Sequence, residues 1–340
     1  MVFRSLLDYL RGMSARLPLD LCLSGALDSV VPVASSRVEM TSALGRILAQ
    51  DIRLPHDMPR SAEALRAGYA VAALDLVGAS TAAPVPLLAP ASVAPGEPLT
   101  AGMDAILPED GIDSAAGWPE AIRPLNPGEG VRRMGHDGRA GDIIAAAGTR
   151  LTARHILMSS RAGITGAEIR TPRVALTLDD PAQLAFARGW FAALGACVVD
   201  SPADLTLLSA RDHTPRLALV PAETAWLARA DDGLVLTVPA RFDGMLTACL
   251  ALALPALALL SGAAPQSRTL SLARKLTSTV GLSELVLLSE EAGQWLPQPA
   301  GTLTLSGLAT ASAYAILPPD SEGMSTGALL SATPIDLPFG

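Results

Sequence analysis

The chain has 340 residues, half of them hydrophobic and 17% charged, against about 25% charged in an average soluble domain. That composition excludes global disorder, and at roughly 100–200 residues per domain the length predicts two to four domains. Net charge is −8 from 25 basic and 33 acidic side chains, and without a Lys/Arg stripe nucleic acid is excluded as an expected partner. Lysine occurs once, at Lys275, so the positive charge is nearly all arginine, which reads as codon usage rather than chemistry. Cys22, Cys197 and Cys249 are far apart and odd in number. They offer no disulfide framework or metal spacing, and each is expected in a core, in a reducing cytoplasm. His56, His136, His155 and His213 are too scattered for a zinc site.

At the N-terminus, charge interrupts the apolar residues every few positions. Leu6, Leu7 and Leu10 predict an amphipathic helix rather than a signal peptide. Residues 41–52 read as a short helix and turn. Pro84, Pro86, Pro90, Pro95 and Pro98 then forbid long helices. Extended pieces at 85–88 and 105–107 predict a small β domain with many turns. Gly96 and Gly102 serve turns. Gly128, Gly130, Gly135, Gly138, Gly141 and Gly148 mark further turns and short strands. Thr152 offers an N-cap, and Gly163 a stop, for a helix through Ile156 and Leu157.

From Arg173 the pattern changes. Residues 174–178 predict a strand, Asp180-Pro181 an N-cap with a first-turn proline, and Leu184, Ala187, Phe191 and Leu194 one helical face ending at Gly195. Further strands are expected at 197–199, 205–208, 217–220 and 234–238. Strands alternating with helices predict a parallel α/β sheet. The apolar run from Met245 to Leu260 carries Pro255 and falls short of the ~20 residues a bilayer needs, so it reads as a buried core helix and no membrane association is expected. Residues 265–340, with short strands at 285–288, 302–305 and 314–317, predict a small β domain.

Five blocks carry a resemblance to a known family. Residues 43–59 (Ala-Leu-Gly-Arg-Ile-Leu-Ala-Gln-Asp-Ile-Arg-Leu-Pro-His-Asp-Met-Pro) closely resemble the entry segment of MoeA-type molybdopterin molybdotransferases, which include the C-terminal half of gephyrin. Residues 98–108, 127–142, 147–156 and 305–318 resemble later family blocks in the same order. The resemblance implies an elongated α/β multidomain subunit. Domain I, a helical/β linker domain, would take residues 1–43 and 130–170. Domain II, a small inserted β domain, would take 44–129. A shortened MogA-like parallel α/β domain would span 171–263, and a C-terminal β domain 264–340. The family reaction inserts molybdate into adenylylated molybdopterin, releasing AMP with the help of a divalent cation such as Mg²⁺. Family subunits usually dimerise, so a homodimer or a heterodimer with an intact family member is expected, with a molybdoenzyme client as a further partner.

The departures from the family fall on its chemical elements. The family's Asp-Asn-Ser-Ala-Met-Asp-Gly-Tyr motif aligns with residues 62–69, where Ala62 and Ala67 replace both aspartates while Gly68 and Tyr69 remain, expected to pack a domain junction. The loop read in the family as Thr-Gly-Asp-Glu-Leu is Leu178-Asp179-Asp180-Pro181-Ala182 here. Its glycine is gone, and a proline removes an N–H that a phosphate would use. Asp179 and Asp180 remain candidate cation ligands, although Asp180 also reads as a helix N-cap. The Gly-Gly-Val-Ser-Val-Gly loop is replaced by Ser209-Ala-Arg-Asp-His-Thr-Pro, and Pro-Gly-Asn-Pro by Pro239-Ala240-Arg241-Phe242.

Asp137 matches a family acid, with a turn aspartate as its alternative. Arg132 and Arg133 could meet a pterin phosphate or form a solvated turn. Ser306 and Gly307 sit where the family keeps a Ser-Gly pair beside the pterin, or form a strand-edge turn. Arg211, Asp212 and His213 make a polar cluster on a post-strand loop. The sequence thus predicts a cytoplasmic MoeA-like protein of molybdenum cofactor metabolism with impaired catalysis, binding molybdopterin or its adenylylated form in a helper role. Its alternatives are an active divergent molybdotransferase using Asp137, Asp179 and Asp180 for the cation, and a non-catalytic scaffold or chaperone for a molybdoenzyme. An unrelated binding role on an inherited fold also stays open.

Overall fold

The computed structural model describes residues 16–115, 117–211 and 216–335; the helix expected around Leu6 and Leu10 lies outside them. The chain forms two compact units, one of Met1–Asp51, Ala145–Leu157 and Thr165–Gly340, the other of Ile52–Ile144 and Met158–Ile164.

The first unit is centred on a five-stranded sheet. Its strands are β1 (Arg173–Thr177), β2 (Cys197–Val199), β3 (Leu205–Ser209), β4 (Trp226–Ala230) and β5 (Gly233–Val238), in spatial order β2-β1-β3-β5-β4. The first three pairings are parallel, as expected, with Val174 opposite Leu205 and Leu207 opposite Leu236. The fourth, β5 with β4, is antiparallel. Helix α1 (Leu19–Leu27) precedes these strands and helix α3 (Pro181–Ala193) interleaves with them, while helix α2 (Ala153–Arg161) has its first five residues in this unit and its last four in the other. Val174, Ala187, Phe191, Leu207 and Leu236 are fully buried in one core.

Local chemistry fixes both ends of α3. The Asp180 side chain accepts from the Ala182 and Gln183 N–H groups, and Pro181 occupies the first turn. At the other end every carbonyl of the last turn has a partner. Those of Trp190, Phe191 and Ala192 accept from N–H groups of residues 194–196. Arg150 reaches the carbonyls of Ala193 and Leu194, and Arg46 that of Gly195. Helix ends leave such groups orphaned unless something reaches them.

The apolar run near residue 250 is a core helix, but a longer one than the sequence indicated. It runs as α4 (Phe242–Ala248), a π-helical turn (Cys249–Ala253) and α5 (Leu254–Ser261). At 20 residues it is long and apolar enough to cross a membrane, yet 78% of its apolar window is buried inside the fold. Pro255 has no N–H for the preceding turn, and a π turn is one way a helix absorbs that loss. Cys22 and Cys249 lie in this core, where burial raises both thiols, Cys249 to about 12. Cys197 departs from expectation: it is exposed at the start of β2, a sheet-edge strand.

Residues 217–220 also pair differently than expected. Leu219–Val220 joins β6 (Ser283–Glu291) in the C-terminal sheet, not the α/β sheet. There β6 pairs with β7 (Gln294–Pro297) and β8 (Ala313–Leu317), and β8 with β9 (Leu329–Pro334). Residues 302–305 are not a strand, because Thr304 caps the short helix α6 (Leu305–Thr310) instead. Residues 41–52 form a 3₁₀ turn at Met40–Ala43 followed by short strands at Ile47–Leu48 and Ile52–Arg53.

The second unit is β-rich, as its prolines and glycines indicate. Gly68–Val71 lies between Ala91–Val93 and Ala105–Leu107, all antiparallel. Gly68 has φ +155°, and a Cβ there would stand 2.4 Å from the Leu107 carbonyl oxygen, so backbone proximity within this sheet explains the glycine. Gly96 and Gly102 have positive φ in turns.

Candidate functional site

In open α/β sheets, ligands bind outside the carboxyl ends of the parallel strands. In the first unit the loops after β1, β3 and β5 gather there. The Asp179 N–H donates to Ser209 Oγ at 2.9 Å, and Arg211 lies 3.8 Å from Asp179 Oδ1. Gln183 spans from α3 to the Ala240 carbonyl at 2.5 Å. Arg241 pairs with Asp243, whose other oxygen accepts from the Gly244 N–H at 2.8 Å.

This end of the sheet is already satisfied by its own side chains. Asp180 Oδ1 takes the Ala182 N–H at 2.7 Å and the Gln183 N–H at 3.4 Å, while Pro181 has none to offer. A carboxylate therefore occupies the positive end of the α3 dipole, where an anionic ligand would otherwise be favoured. Asp179 and Asp243 each face an arginine. Among the described residues no group of three or more His, Cys, Asp or Glu side chains could hold a metal ion. Asp212 and His213 lie outside the described residues.

The other candidates are distributed across both units. Arg132 and Asp137, in the second unit, form an ion pair at 3.1 Å. Arg133 packs its guanidinium beside Gly128. Where the family motif keeps acids, Arg66 lies between the alanines and binds Glu129 at 3.3 Å. Glu129 also accepts from the Asn126 N–H and binds Arg123 at 2.7 Å. The Asn126 hydrogen bond and then the two arginines hold this carboxyl below its usual range. Ser306 and Gly307 belong to the first unit, in the first turn of α6. Thr304 Oγ1 accepts from the Gly307 N–H at 3.0 Å, and the Gln298 amide donates to the Gly307 carbonyl at 2.9 Å. A Cβ on Gly307 would fall 1.9 Å from Gln298 Oε1.

Sequence reasoning missed Ser209, Gln183, Arg241 and Asp243. A signal existed for one of them: Gln183 stands three residues after the Asp180 cap, in the spacing of a capping box. The side chain instead reaches across to the next loop.

The strands and helices define a mixed α/β protein of several sheets, in which small β sheets accompany a mostly parallel one. Residues 17–163 match the family described as the MoeA N-terminal region (domain I and II). A Methanocaldococcus jannaschii protein named for molybdopterin biosynthesis is 31% identical over 141 residues, which cover 37% of this chain and 34% of that protein. A molybdopterin molybdenumtransferase of Synechococcus elongatus is 29% identical over 153 residues, 39% of this chain and 38% of that protein. The matched stretches thus span little more than a third of either relative. The crystal structure of the molybdopterin biosynthesis MoeA protein of Pyrococcus horikoshii OT3 superposes with a TM-score of 0.74 and 19% identity, covering 94% of this chain and all of that one. By sequence, residues 17–163 match the MoeA N-terminal region, and by fold the chain is similar to the solved Pyrococcus horikoshii MoeA protein over 94% of its length.

Proposed function

We propose that this chain acts in molybdenum cofactor biosynthesis of the MoeA type, binding molybdopterin or its adenylylated form while having lost most of its capacity to insert molybdate. The observation that carries this reading is the self-occupied end of the parallel sheet. Transfer at an adenylyl phosphate needs free N–H donors aimed at the phosphate and a carboxylate set for a hard cation. Here Asp180 takes the donors, Arg241 pairs with Asp243, and Arg211 lies 3.8 Å from Asp179. Arg132 and Arg133, beside Asp137, and the Ser306-Gly307 turn are the proposed pterin-facing residues. Asp179 and Asp180 would support Mg²⁺ weakly at most. A second copy, an intact family member or a client molybdoenzyme is the proposed partner.

The test is AMP release from adenylylated molybdopterin with molybdate and Mg²⁺, beside an intact relative, with equilibrium binding of molybdopterin measured on the same preparation. The expected result is binding with release at least about a hundredfold slower, the cost of losing a key electrostatic donor. Release at a comparable rate would overturn the proposal in favour of an active divergent transferase.

A further inference from the structure

The second unit carries a three-stranded sheet whose two faces differ. Its strands Val85–Pro86, Glu120–Ala121 and Ile112–Asp113 lie in that spatial order, both pairings antiparallel. Side chains alternate between faces along a strand, and residues directly opposite share a face. Val85, Ala121 and Ile112 therefore point the same way, into the core around Leu76 and Leu107. Leu87 continues the pattern. Its N–H donates to the Pro119 carbonyl at 2.9 Å, and its side chain packs on the same core.

The same register sends Pro86, Glu120 and Asp113 to the outer face and sets Leu88 opposite Trp118 beside them. Leu88 is 95% exposed and Trp118 56%. The indole is held in place, because its Nε1 donates to Glu120 Oε1 at 3.1 Å. A solvated sheet face is ordinarily polar. Single exposed apolar residues are common, whereas a tryptophan set against a leucine has the composition of an interface anchor.

Charge identifies what covers this face. Between Arg66 and Arg123 the sequence has seven Asp and Glu residues and no Lys, Arg or His. Two of those acids, Glu120 and Asp113, flank the apolar pair. Such a field repels nucleic acid and anionic lipid and attracts cationic side chains. The edge is closed to an added strand, since Pro84 and Pro86 have no N–H to offer.

We infer that this outer face is a docking site for a basic amphipathic segment of another protein. Its leucine-sized side chains pack on Leu88 and Trp118 while its arginines reach Glu120 and Asp113. Arginine is the fitting cation, because a guanidinium both forks onto a carboxylate and stacks on an indole. Three strands of two residues offer little area, which matches a transient contact. The inference does not rest on the proposed function, since it shares no residue with the pterin-facing turns or the sheet-end loops.

Isothermal titration of the full chain with a synthetic amphipathic arginine–leucine peptide tests it, beside the same peptide with glutamate for arginine. The arginine peptide is expected to bind and the glutamate peptide not to. Trp118→Ser and Leu88→Ser should each weaken binding about tenfold or more. Glu120→Gln with Asp113→Asn should weaken it severalfold and flatten its salt dependence. Asp231→Asn, at an exposed position in the first unit, should leave it unchanged. Leu88 and Trp118 are exposed, so their variants should keep the wild-type thermal midpoint; if Trp118→Ser lowers it, Leu88→Ser carries the test. The inference fails if the arginine peptide does not bind at millimolar concentration, if the glutamate peptide binds equally, or if Leu88→Ser binds like Asp231→Asn. It also fails if Leu88→Ser lowers the oligomeric state in sedimentation velocity, which would assign the face to a second copy of this chain.

Discussion

Replacing Arg150 with alanine should loosen the helix that leads into the sheet-end loops, although Arg150 sits at its far end. The guanidinium serves three carbonyls: Gly45 at 2.5 Å, Leu194 at 2.9 Å and Ala193 at 3.4 Å. Burial first, and the neighbouring Arg46 second, lower this group to about 10, so the charge is held there at a cost. Removing it leaves three acceptors short of a donor at about 1 kcal/mol each. A cation at a helix C-terminus adds about 0.3–1 kcal/mol. Water will reach part of the opened site, and the relieved burial cost offsets more, so the net loss should be about 2 kcal/mol. Denaturant unfolding measures the total, and hydrogen exchange of the α3 amides shows where it falls. Arg150→Lys should lose about half as much, since an ammonium cannot fork across three carbonyls. If Arg150→Ala lies within about 0.5 kcal/mol of wild type, or if exchange accelerates everywhere except α3, the assignment of Arg150 as the helix anchor is wrong.

Three further outcomes are expected. Asp180→Ala should cost about 1 kcal/mol through loss of the α3 cap while Asp180→Asn costs only a few tenths, and equal losses in thermal unfolding would argue against capping. Gly68→Ala should destabilise the second unit by at least about 2 kcal/mol, because its Cβ would meet the Leu107 carbonyl at 2.4 Å in a backbone region costly for any side chain; a thermal midpoint equal to wild type would refute this. His155 accepts the Thr152 N–H at 3.1 Å, and burial, then Arg154, lower its pKa below the ordinary 6.5. Its contribution is therefore complete above about pH 6.5 and lost as the pH falls below that value. His155→Gln should flatten stability between pH 7 and 5, and an unchanged slope would exclude the residue as its source.

What the sequence disclosed was local. The α3 boundaries were legible because Asp180, Pro181 and Gly195 act within a turn of their own positions. The strands β1, β2, β3 and β5 were legible because each is a short apolar run closed by turn residues. Strand β4 was missed, since its apolar signal is confined to Trp226 and Leu227 at one end and its place depends on pairing with β5. Leu219–Val220 read correctly as extended, but its choice of β6 over the α/β sheet is settled by residues more than 60 positions away. At the sheet end the Asp179-Asp180 loop could be located from sequence. The reach of Gln183 to Ala240 and the Ser209 contact depend on three loops meeting in space.

The sealed N-terminus of α3 bears on how this protein's stability depends on its surroundings. A fold that binds a ligand gains RT ln(1 + [L]/Kd), about 2.7 kcal/mol at a hundred times Kd, so its resistance to unfolding rises and falls with supply. Under the proposed function, a helix end whose N–H groups already donate to Asp180 draws no such increment from a phosphate at that position. The contacts that hold the helix, Asp180 at one end of α3 and Arg46 and Arg150 at the other, all come from within the chain.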